Sequence, residues 1–289
     1  VILKAAEENL RELNEPVNKK LKVWKIPESD FTKEIEITLQ HLLTHTAGIN
    51  RPDSMFGCEE GSNPTIEQVL RGENPAKNDP VQIEFVPGTD HKYSNFGFVI
   101  IQKYLEDIMD KQFQEITKEM IFQPLEMTSS QFGYNSKMDR MKAIVPHNEN
   151  GEAEESGIHT SALAMGGLVT TPHDLSKFVI EIMKAYSNQK SKYLSKSIVA
   201  KMLSTEVKLD PSKWFGFTGQ GLGMYLIQNG KELFFTHPGT NMPGATCMMI
   251  GNPLTGQGAV IMSNGIQGEL VNLQLLFSII KEYNWNLWQ

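Results

Sequence analysis

The stretch 87–95, PGTDHKYSN, combines a turn signal with side chains that can transfer protons and bind amides. Its Pro-Gly pair predicts a turn, and the apolar run 96–109 that follows has helical spacing. A turn leading into a helix start orients the first helical side chains, so Tyr93 and Asn95 can both point into one cleft. Tyr can carry a proton between nucleophile and leaving group, and Asn can donate to and accept from an amide. The same residues also fit a structural interpretation, with Tyr93 in the core and Ser94 or Asn95 as the helix cap.

Three other sites have residues of chemical interest. His41 and His45 are four residues apart, a spacing that can bind zinc on one helix face. No Glu follows His41 and no third ligand is evident, so we expect structural roles and no metal. Ser187 and Lys190 form a Ser-x-x-Lys sequence at a polar helix end, which we interpret as coincidence. The aromatic segment 214–217 is consistent with a substrate cleft or with a packed loop anchor.

The elements that position these residues change character along the chain. Helical patterns dominate the first two thirds, and Thr38, Thr65 and Thr171 stand at N-cap positions. Gly48 is expected to end the first capped helix in a left-handed conformation. The predicted helices cover residues 39–45, 65–70, 96–110, 113–122, 172–186 and 195–203.

After residue 211 the pattern changes to short strand-like runs separated by Gly, Pro and Asn. These runs predict an antiparallel meander, and the last apolar helix, 270–281, is expected to cover the sheet. Helices followed by an antiparallel sheet indicate an α+β fold. The predicted strands cover residues 222–227, 232–236, 245–250 and 259–262.

Composition excludes several classes of protein. With 289 residues, of which 40% are hydrophobic and 21% charged, the chain has enough length for a large globular core. A net charge of −7 argues against a general nucleic-acid binder, and no apolar run is long enough to span a membrane. Cys58 and Cys247 lack any Cys-x-x-Cys context, so we expect two thiols rather than a disulfide.

The first ten residues read as a helix already under way, without an initiator Met, a cap or a signal-peptide pattern. We therefore expect the sequence to begin inside an element, with further residues upstream of Val1.

Four stretches, in this order, resemble the serine β-lactamase and penicillin-binding-protein superfamily, in the branch of class C β-lactamases, D,D-peptidases and related esterases. Residues 37–48, ITLQHLLTHTAG, are similar to its T-x-x-H-L-L-T-H-T-S-G stretch, and 87–95 resembles its Tyr-x-Asn motif. Residues 164–175, AMGGLVTTPHDL, resemble its G-G-L-x-S-T-x-x-D-L. Residues 237–239, HPG, resemble its Lys-Thr-Gly or His-x-Gly motif, so the resemblance covers nearly the whole chain.

The resemblance implies a β-lactamase/transpeptidase-like α+β fold, with an antiparallel sheet flanked by helices beside a helical domain. It also implies a serine hydrolase that acts through an acyl-enzyme without metal or cofactor. Tyr93 would transfer protons, Asn95 would bind the substrate amide or ester, and His237 would support Tyr93 or contact a substrate carboxylate. Gly239 would let substrate approach the strand backbone, and the Thr240 N–H would be one oxyanion donor.

In the family pattern, the Ser-x-x-Lys nucleophile motif precedes the segment that residues 3–17 match. The resemblance therefore places the nucleophile upstream of Val1, and the missing N-terminal segment is expected to complete the sheet beside 259–262. The implied domains are 1–17, the remnant of the helix after the nucleophile; 18–210, mainly helical with loops; and 211–289, the antiparallel strands and C-terminal helix.

The expected partner is a small-molecule or peptide substrate, such as a D-Ala-type peptide, a small ester or a β-lactam. His237 is more often neutral at pH 7 than Lys, which weakens the anchoring of an anionic β-lactam, so peptidase, amidase or esterase action fits at least as well as β-lactam hydrolysis. The alternative is a catalytically inactive relative that serves as a binding or scaffold protein. The resemblance also favours a location outside the cytoplasm.

Overall fold

The computed structural model describes all residues except 8–9, 53–57, 60, 135–142, 155–160, 190, 192, 243 and 288–289. The chain divides into two compact units. The helical unit comprises Val1–Met120 and Ile158–Leu168, and the sheet unit comprises Ile121–Gly157 and Val169–Gln289.

Short helices and turns build most of the helical unit. Its α-helices are α1 (Ile2–Ala5), α2 (Leu39–Leu43), α3 (Ile66–Arg71), α4 (Asn95–Met109) and α5 (Phe113–Thr117). A π-helical turn follows at Lys118–Phe122, and 3₁₀ turns lie at Leu10–Asn14, Val17–Lys19, Asp30–Thr32 and Leu163–Met165.

Helices α2 and α3 both begin with capping boxes, as their sequences predict. Thr38 Oγ1 accepts a hydrogen bond from the His41 N–H, and His41 Nδ1 accepts one from the Thr38 N–H, both at 3.3 Å. Thr65 and Gln68 make the same reciprocal pair at the start of α3. These bonds satisfy N–H groups that the first helical turn leaves without a partner.

The end of α2 differs from the sequence prediction. The helix stops at Leu43, and His45, with φ of 56°, is the first left-handed residue after it. Gly48 is also left-handed, with φ of 73°, but it lies further along the chain. A Cβ at Gly48 would be 2.2 Å from the carbonyl oxygen of Phe85, so glycine is needed there for a close backbone approach.

Helix α4 forms the centre of the helical unit. It begins at Asn95 and ends at Met109, close to the predicted bounds. Gly97 faces α2, where a Cβ would be in van der Waals contact, 3.4 Å from the carbonyl oxygen of Leu42. Burial of each large apolar side chain contributes about 1.5–3 kcal/mol. The buried face of α4 includes Phe96, Val99, Ile100, Tyr104 and Leu105.

The remaining elements lie mostly in the sheet unit. Two short strands are β1 (Gln131–Phe132) and β2 (Leu168–Val169). The strands of the main sheet are β3 (Val207–Lys208), β4 (Gly219–Gln220), β5 (Tyr225–Asn229), β6 (Glu232–Asn241), β7 (Ala245–Gly251) and β8 (Gly258–Ser263). The helices are α6 (Pro172–Tyr186), α7 (Lys196–Met202) and α8 (Gly268–Glu282).

Strands β3 to β8 pair consecutively and antiparallel, which confirms the predicted meander. Strand β6 continues to Asn241, five residues beyond the predicted end. Strand β5 begins opposite Thr236, so residues 237–241 pair with β7 alone in the part of the sheet that the structure describes. A strand with one unpaired side tolerates the proline at position 238.

Two further observations concern membrane-spanning helices and the cysteines. Among the described residues, no helix is long and apolar enough to cross a membrane. Cys58 and Cys247 are half-buried thiols and are not joined in a disulfide.

Candidate active site

The turn at 87–92 is fixed against the segment that follows α2. The Gly88 N–H donates to the Thr46 carbonyl at 2.8 Å, and the Lys92 N–H donates to the His45 carbonyl at 2.9 Å. Both bonds join backbone groups, so they hold the corner before α4 whatever the surrounding side chains do. The first residues of α4 are therefore presented from a rigid turn.

Tyr93 lies between an imidazole and a guanidinium. Its ring centroid is 4.4 Å from that of His45, and the Arg51 guanidinium carbon is 5.6 Å from the centre of the Tyr93 ring. Burial raises the pKa of the Tyr93 phenol, and the Arg51 charge partly opposes this by lowering it. Tyr93 is therefore a protonated phenol at neutral pH and can donate a proton.

The Tyr93 hydroxyl and the Asn95 amide are open to a ligand. Within the described part of the chain, neither side chain makes a hydrogen bond, and both residues are half-buried. Asn95 is the first residue of α4 rather than its cap. A phenol and a carboxamide placed in this way can donate to one group and accept from another on the same substrate.

Ser94, between them, has a structural role. Its hydroxyl donates to the Asn50 carbonyl at 2.7 Å, and its N–H donates to His45 Nδ1 at 3.3 Å. Ser94 occupies the N-cap position of α4, but its side chain makes no capping bond. Within this motif Ser94 therefore has the structural role, because its bonds tie the start of α4 to His45 and Asn50.

The two motif histidines each accept a backbone hydrogen bond. His41 Nδ1 accepts from the Thr38 N–H, and His45 Nδ1 accepts from the Ser94 N–H. In the ranges that the structure describes, no group of three or more His, Cys, Asp or Glu could hold a metal ion. His41 thus orders the start of α2, and His45 orders the backbone beside Tyr93.

The glycine-rich motif begins against α4. Gln102 is buried on this helix, and its amide donates to the Ser161 carbonyl at 2.8 Å and accepts from the Ala164 N–H at 3.0 Å. Two of the four motif segments therefore lie wholly in the helical unit, and the glycine-rich motif begins there and continues into the sheet unit. Ser187, from the isolated Ser-x-x-Lys sequence, is instead the C-cap residue of α6, and its hydroxyl donates to the Met183 carbonyl at 2.9 Å. Lys190 lies outside the described residues.

His237 lies on β6 in the sheet unit, beside aromatic rings. Its Nδ1 is 2.9 Å from the Pro238 carbonyl oxygen, which can only accept, so Nδ1 carries the proton and Nε2 is the acceptor. The Tyr225 ring is 5.9 Å away and stacks in turn on Phe217 at 4.5 Å. Burial lowers the pKa of His237, and the Pro238 carbonyl partly opposes this, so the ring is neutral at pH 7.

The aromatic residues of segment 214–217, for which a substrate cleft and a packed loop anchor were both possible roles, differ in burial. Phe217 is buried and acts as the packed anchor, whereas Phe215 is 88% exposed. The segment therefore supports the ring layer under His237 and leaves one aromatic side chain in solvent.

Gly239 and Thr240 follow along the singly paired part of β6. Gly239 is opposite Cys247 on β7, and a Cβ at Gly239 would be 3.1 Å from the Cys247 sulfur. Burial raises the pKa of the Cys247 thiol. The Thr240 hydroxyl donates to Glu269 Oε1 on α8.

Sequence reasoning missed most of the residues that surround the predicted ones. Only His45 lies within a recognised motif. The others come from distant parts of the chain and have no local signal. The missed neighbours are Arg51 beside Tyr93, Tyr225 beside His237, Cys247 beside Gly239 and Glu269 beside Thr240.

The family model named Beta-lactamase matches residues 1–273 of the chain. The chain belongs to the β-lactamase family. It is related to the serine hydrolases of that family, which include carboxypeptidases and amidases.

Two curated relatives illustrate the range of this family. D-alanyl-D-alanine-carboxypeptidase/endopeptidase AmpH of Escherichia coli strain K12 is 25% identical over 194 residues, which cover 66% of this chain and 47% of AmpH. The unguisins hydrolase ungD' of Aspergillus campestris is 27% identical over 123 residues, which cover 40% of this chain and 21% of that protein. The chain thus spans less than half the length of these two relatives.

Solved structures confirm the predicted β-lactamase and penicillin-binding-protein fold. A penicillin-binding protein from Bacillus halodurans has a TM-score of 0.74 at 18% identity, covering 96% of this chain and 80% of the other. The D-amino acid amidase of Ochrobactrum anthropi SV3 has a TM-score of 0.73 at 18% identity, covering 98% and 80%. The octameric penicillin-binding protein homologue of Pyrococcus abyssi has a TM-score of 0.70 at 24% identity, covering 91% and 58%.

Within this β-lactamase-family chain, the predicted site residues are divided between the two units. Tyr93 and Asn95 belong to the helical unit, and His237, Gly239 and Thr240 belong to the sheet unit. In each unit the local geometry suits a binding role, with side chains open to a ligand in one and a singly paired strand in the other.

Proposed function

We propose that this chain provides the proton-transfer and substrate-binding residues of a serine hydrolase that cleaves amide or ester bonds through an acyl-enzyme. The observation that carries the proposal is that the polar side-chain groups of Tyr93 and Asn95 are available to a ligand. Among the described residues, their polar groups have no hydrogen bond, although both lie on a rigid corner beside Arg51. A polar pair held rigidly without partners is suited to bind and protonate a substrate.

The proposed chemistry has two half-reactions. A serine hydroxyl attacks the substrate carbonyl carbon and gives its proton to the lysine amine of the proposed Ser-x-x-Lys motif, and the carbonyl becomes a tetrahedral oxyanion. The bond to the leaving nitrogen or oxygen then breaks, and Tyr93 delivers its phenol proton to that atom. Water attacks the carbonyl carbon of the acyl-enzyme and gives a proton to the Tyr93 phenolate, and the acid leaves as the serine oxygen recovers its proton from the lysine. The raised pKa of Tyr93 fits the proton-donating step, because the phenol is protonated at neutral pH.

Strand β6 is the proposed docking edge for the substrate. Residues 237–241 pair with β7 alone, which leaves backbone groups on the other side for an extended ligand. Gly239 presents no side chain to obstruct that approach, and the Thr240 N–H is the proposed oxyanion donor. In this proposal His237 contributes a neutral Nε2 acceptor from the sheet unit, and Asn95 binds the substrate amide or ester.

The proposed nucleophile is a serine outside the 289-residue sequence, in a Ser-x-x-Lys motif before the segment that residues 3–17 match. A fluorophosphonate probe tests this assignment. We expect the probe to label a longer protein carrying that motif and to leave the 289-residue chain unlabelled. Stoichiometric labelling of the shorter chain would refute it. A longer reading frame without Ser-x-x-Lys would favour the inactive binding protein instead.

Replacement of Tyr93 tests the proton-transfer role in the longer protein. We expect Tyr93→Phe to lower kcat for an amide substrate by about 10²–10⁴-fold, the usual contribution of general acid catalysis. Tyr134→Phe is a matched control in the sheet unit. Equal activity of wild type and Tyr93→Phe would exclude Tyr93 as the proton donor.

We also propose that a segment outside this sequence pairs with β8. In the described sheet, β8 is the terminal strand, and its residues after Gly258 are half-exposed. Helix α8, which packs on β7 and β8, exposes Leu270, Val271 and Leu275 by 61%, 47% and 47%. An unpaired strand edge beside an exposed apolar helix is a surface that proteins normally cover.

A further inference from the structure

We infer that Glu269 restricts the proposed site to amides and esters without a carboxylate beside the scissile bond. The inference rests on the proposed function and narrows its substrate class. Its starting point is the contact between Thr240, at the end of β6, and the Glu269 carboxylate in the first turn of α8. Both residues are exposed, so this negative charge faces solvent beside the proposed oxyanion donor.

Buried packing sets the position of Glu269. Thr240 is paired across the sheet with Thr246, and the Thr246 hydroxyl accepts from the Asn272 amide of α8 at 3.3 Å. Thr246 and Asn272 are 3% and 1% exposed. The Ser263 hydroxyl donates in turn to Asn272 Oδ1. These bonds attach α8 to the sheet at Thr246, the residue paired with Thr240, and at Ser263.

Gly268 brings the helix even closer. A Cβ at this residue would be 2.2 Å from the Thr246 hydroxyl oxygen, a separation that no side chain could occupy. The residue before Glu269 must therefore be glycine for α8 to begin where it does. The start of the helix is held there, which places the backbone of Glu269 where its carboxylate can reach the Thr240 hydroxyl.

The end of β6 lacks the groups that bind an anion. His237 is neutral at pH 7 because burial lowers its pKa. Pro238 has neither an N–H nor a hydroxyl, and the Thr240 hydroxyl already donates to Glu269. In the described part of the chain, Glu269 forms no ion pair, so its charge is not neutralised. A substrate carboxylate normally needs a cation or several donors and would here meet a second carboxylate.

A helical role for Glu269 makes a different prediction. An acidic residue in the first helical turn stabilises the helix through its dipole. That role would change the stability of the protein without changing the ratio of activities on charged and neutral substrates. Glu282, at the other end of α8, is a matched control because it carries the same charge about 20 Å away along the helix.

The test compares two substrates in the longer, nucleophile-bearing protein. N-acetyl-D-alanyl-D-alanine and N-acetyl-D-alanyl-D-alaninamide have the same scissile bond, and only the first carries a carboxylate beside it. We expect wild type to prefer the amide in kcat/KM by on the order of tenfold at low salt, and the preference to shrink as salt rises. Glu269→Gln should lower the preference severalfold, whereas Glu282→Gln should preserve it.

Each alternative result has a defined meaning. A wild-type preference for the free acid, or an unchanged ratio in Glu269→Gln, would overturn the inference. An equal loss of activity on both substrates would also overturn it, since Glu269 would then act only by positioning Thr240. Circular dichroism and thermal unfolding establish that each variant is folded. Absence of both turnover and fluorophosphonate labelling would instead refute the proposed function itself, together with the inference that depends on it.

Discussion

Tyr93 illustrates how neighbours from distant sequence positions set the chemistry of a single residue. Burial raises the pKa of its phenol, while the Arg51 charge lowers it. The His45 ring packs against the Tyr93 ring and accepts a hydrogen bond from the Ser94 N–H. The proton-donating capacity of Tyr93 therefore depends on a guanidinium that no motif predicts.

Removal of the Arg51 charge should raise the pKa of Tyr93 further. We expect Arg51→Gln to shift the Tyr93 titration to higher pH, because only the effect of burial would remain. The measurement is an NMR titration of the chain with 13C-labelled tyrosine ring carbons, which needs no enzymatic activity. Arg71→Gln, an equal charge change on α3, should leave the Tyr93 titration in place. An unchanged pKa in Arg51→Gln would show that the guanidinium has no electrostatic effect on the phenol.

Two neutral, half-buried histidines should make the protein less stable in mild acid. Burial lowers the pKa values of His41 and His237 below the value of 6.5 expected in the unfolded chain. The unfolded state therefore binds more protons as pH falls, so stability is fully present above about pH 6.5 and is lost as pH falls towards the folded-state pKa values. Urea unfolding at about pH 7.5 and about pH 5.5 measures this loss. His237→Asn should show a smaller loss, and an equal loss would contradict the assignment to His237.

At the scale of elements, side-chain caps mark the starts of α2, α3, α6 and α7. Thr171 caps α6 by accepting from the Asp174 N–H at 3.2 Å, as its sequence predicts. The structure adds that Asp174 is 1% exposed and accepts from the Ser129 N–H at 2.7 Å and from Lys177 at 3.0 Å. Burial alone would raise the pKa of Asp174, but these donors and the Ser130 hydroxyl lower it. Asp174, in the first turn of α6, therefore also fixes the chain at Ser129 and Ser130.

Loss of the Asp174 carboxylate should be costly for that reason. We expect Asp174→Ala to lower the free energy of unfolding by about 3 kcal/mol, since it leaves an amide and an ammonium without their partner. Urea denaturation at neutral pH measures the change. Asp30→Ala removes an exposed carboxylate that pairs with Lys33 and should change stability by less than about 0.5 kcal/mol. Similar effects of the two substitutions would contradict the role given to Asp174.

For the whole molecule, the main question is how the sheet is completed. The meander and the final helix follow from the sequence, but α8 buries only Gly268, Asn272 and Leu276. Only one narrow face of α8 therefore covers the sheet, and the predicted covering role applies to that face alone. Its remaining apolar residues and the outer edge of β8 form the surface that the proposed upstream segment would cover. The domain division at residues 17 and 210 remains a prediction.

Hydrogen exchange tests the completion of the sheet. We expect the amides of β8 to exchange more slowly in a protein extended at its N-terminus than in the 289-residue chain, because a new strand would pair with them. The β6 amides opposite β5 are already paired on both sides and serve as the internal control. Equal exchange at β8 in the two proteins, with the shorter chain monomeric and soluble, would count against this placement.

The sequence by itself determined the order of the four motifs, the helix starts with Thr caps and the antiparallel meander. These features depend on contacts between residues a few positions apart, so their chemistry can be read locally. Tertiary structure alone decided that α2 ends before Gly48 and that β6 continues through Pro238 because β5 begins opposite Thr236. It also decided the neighbours Arg51 and Glu269. Charge, burial and strand pairing act between residues remote in sequence, and folding brings those residues together.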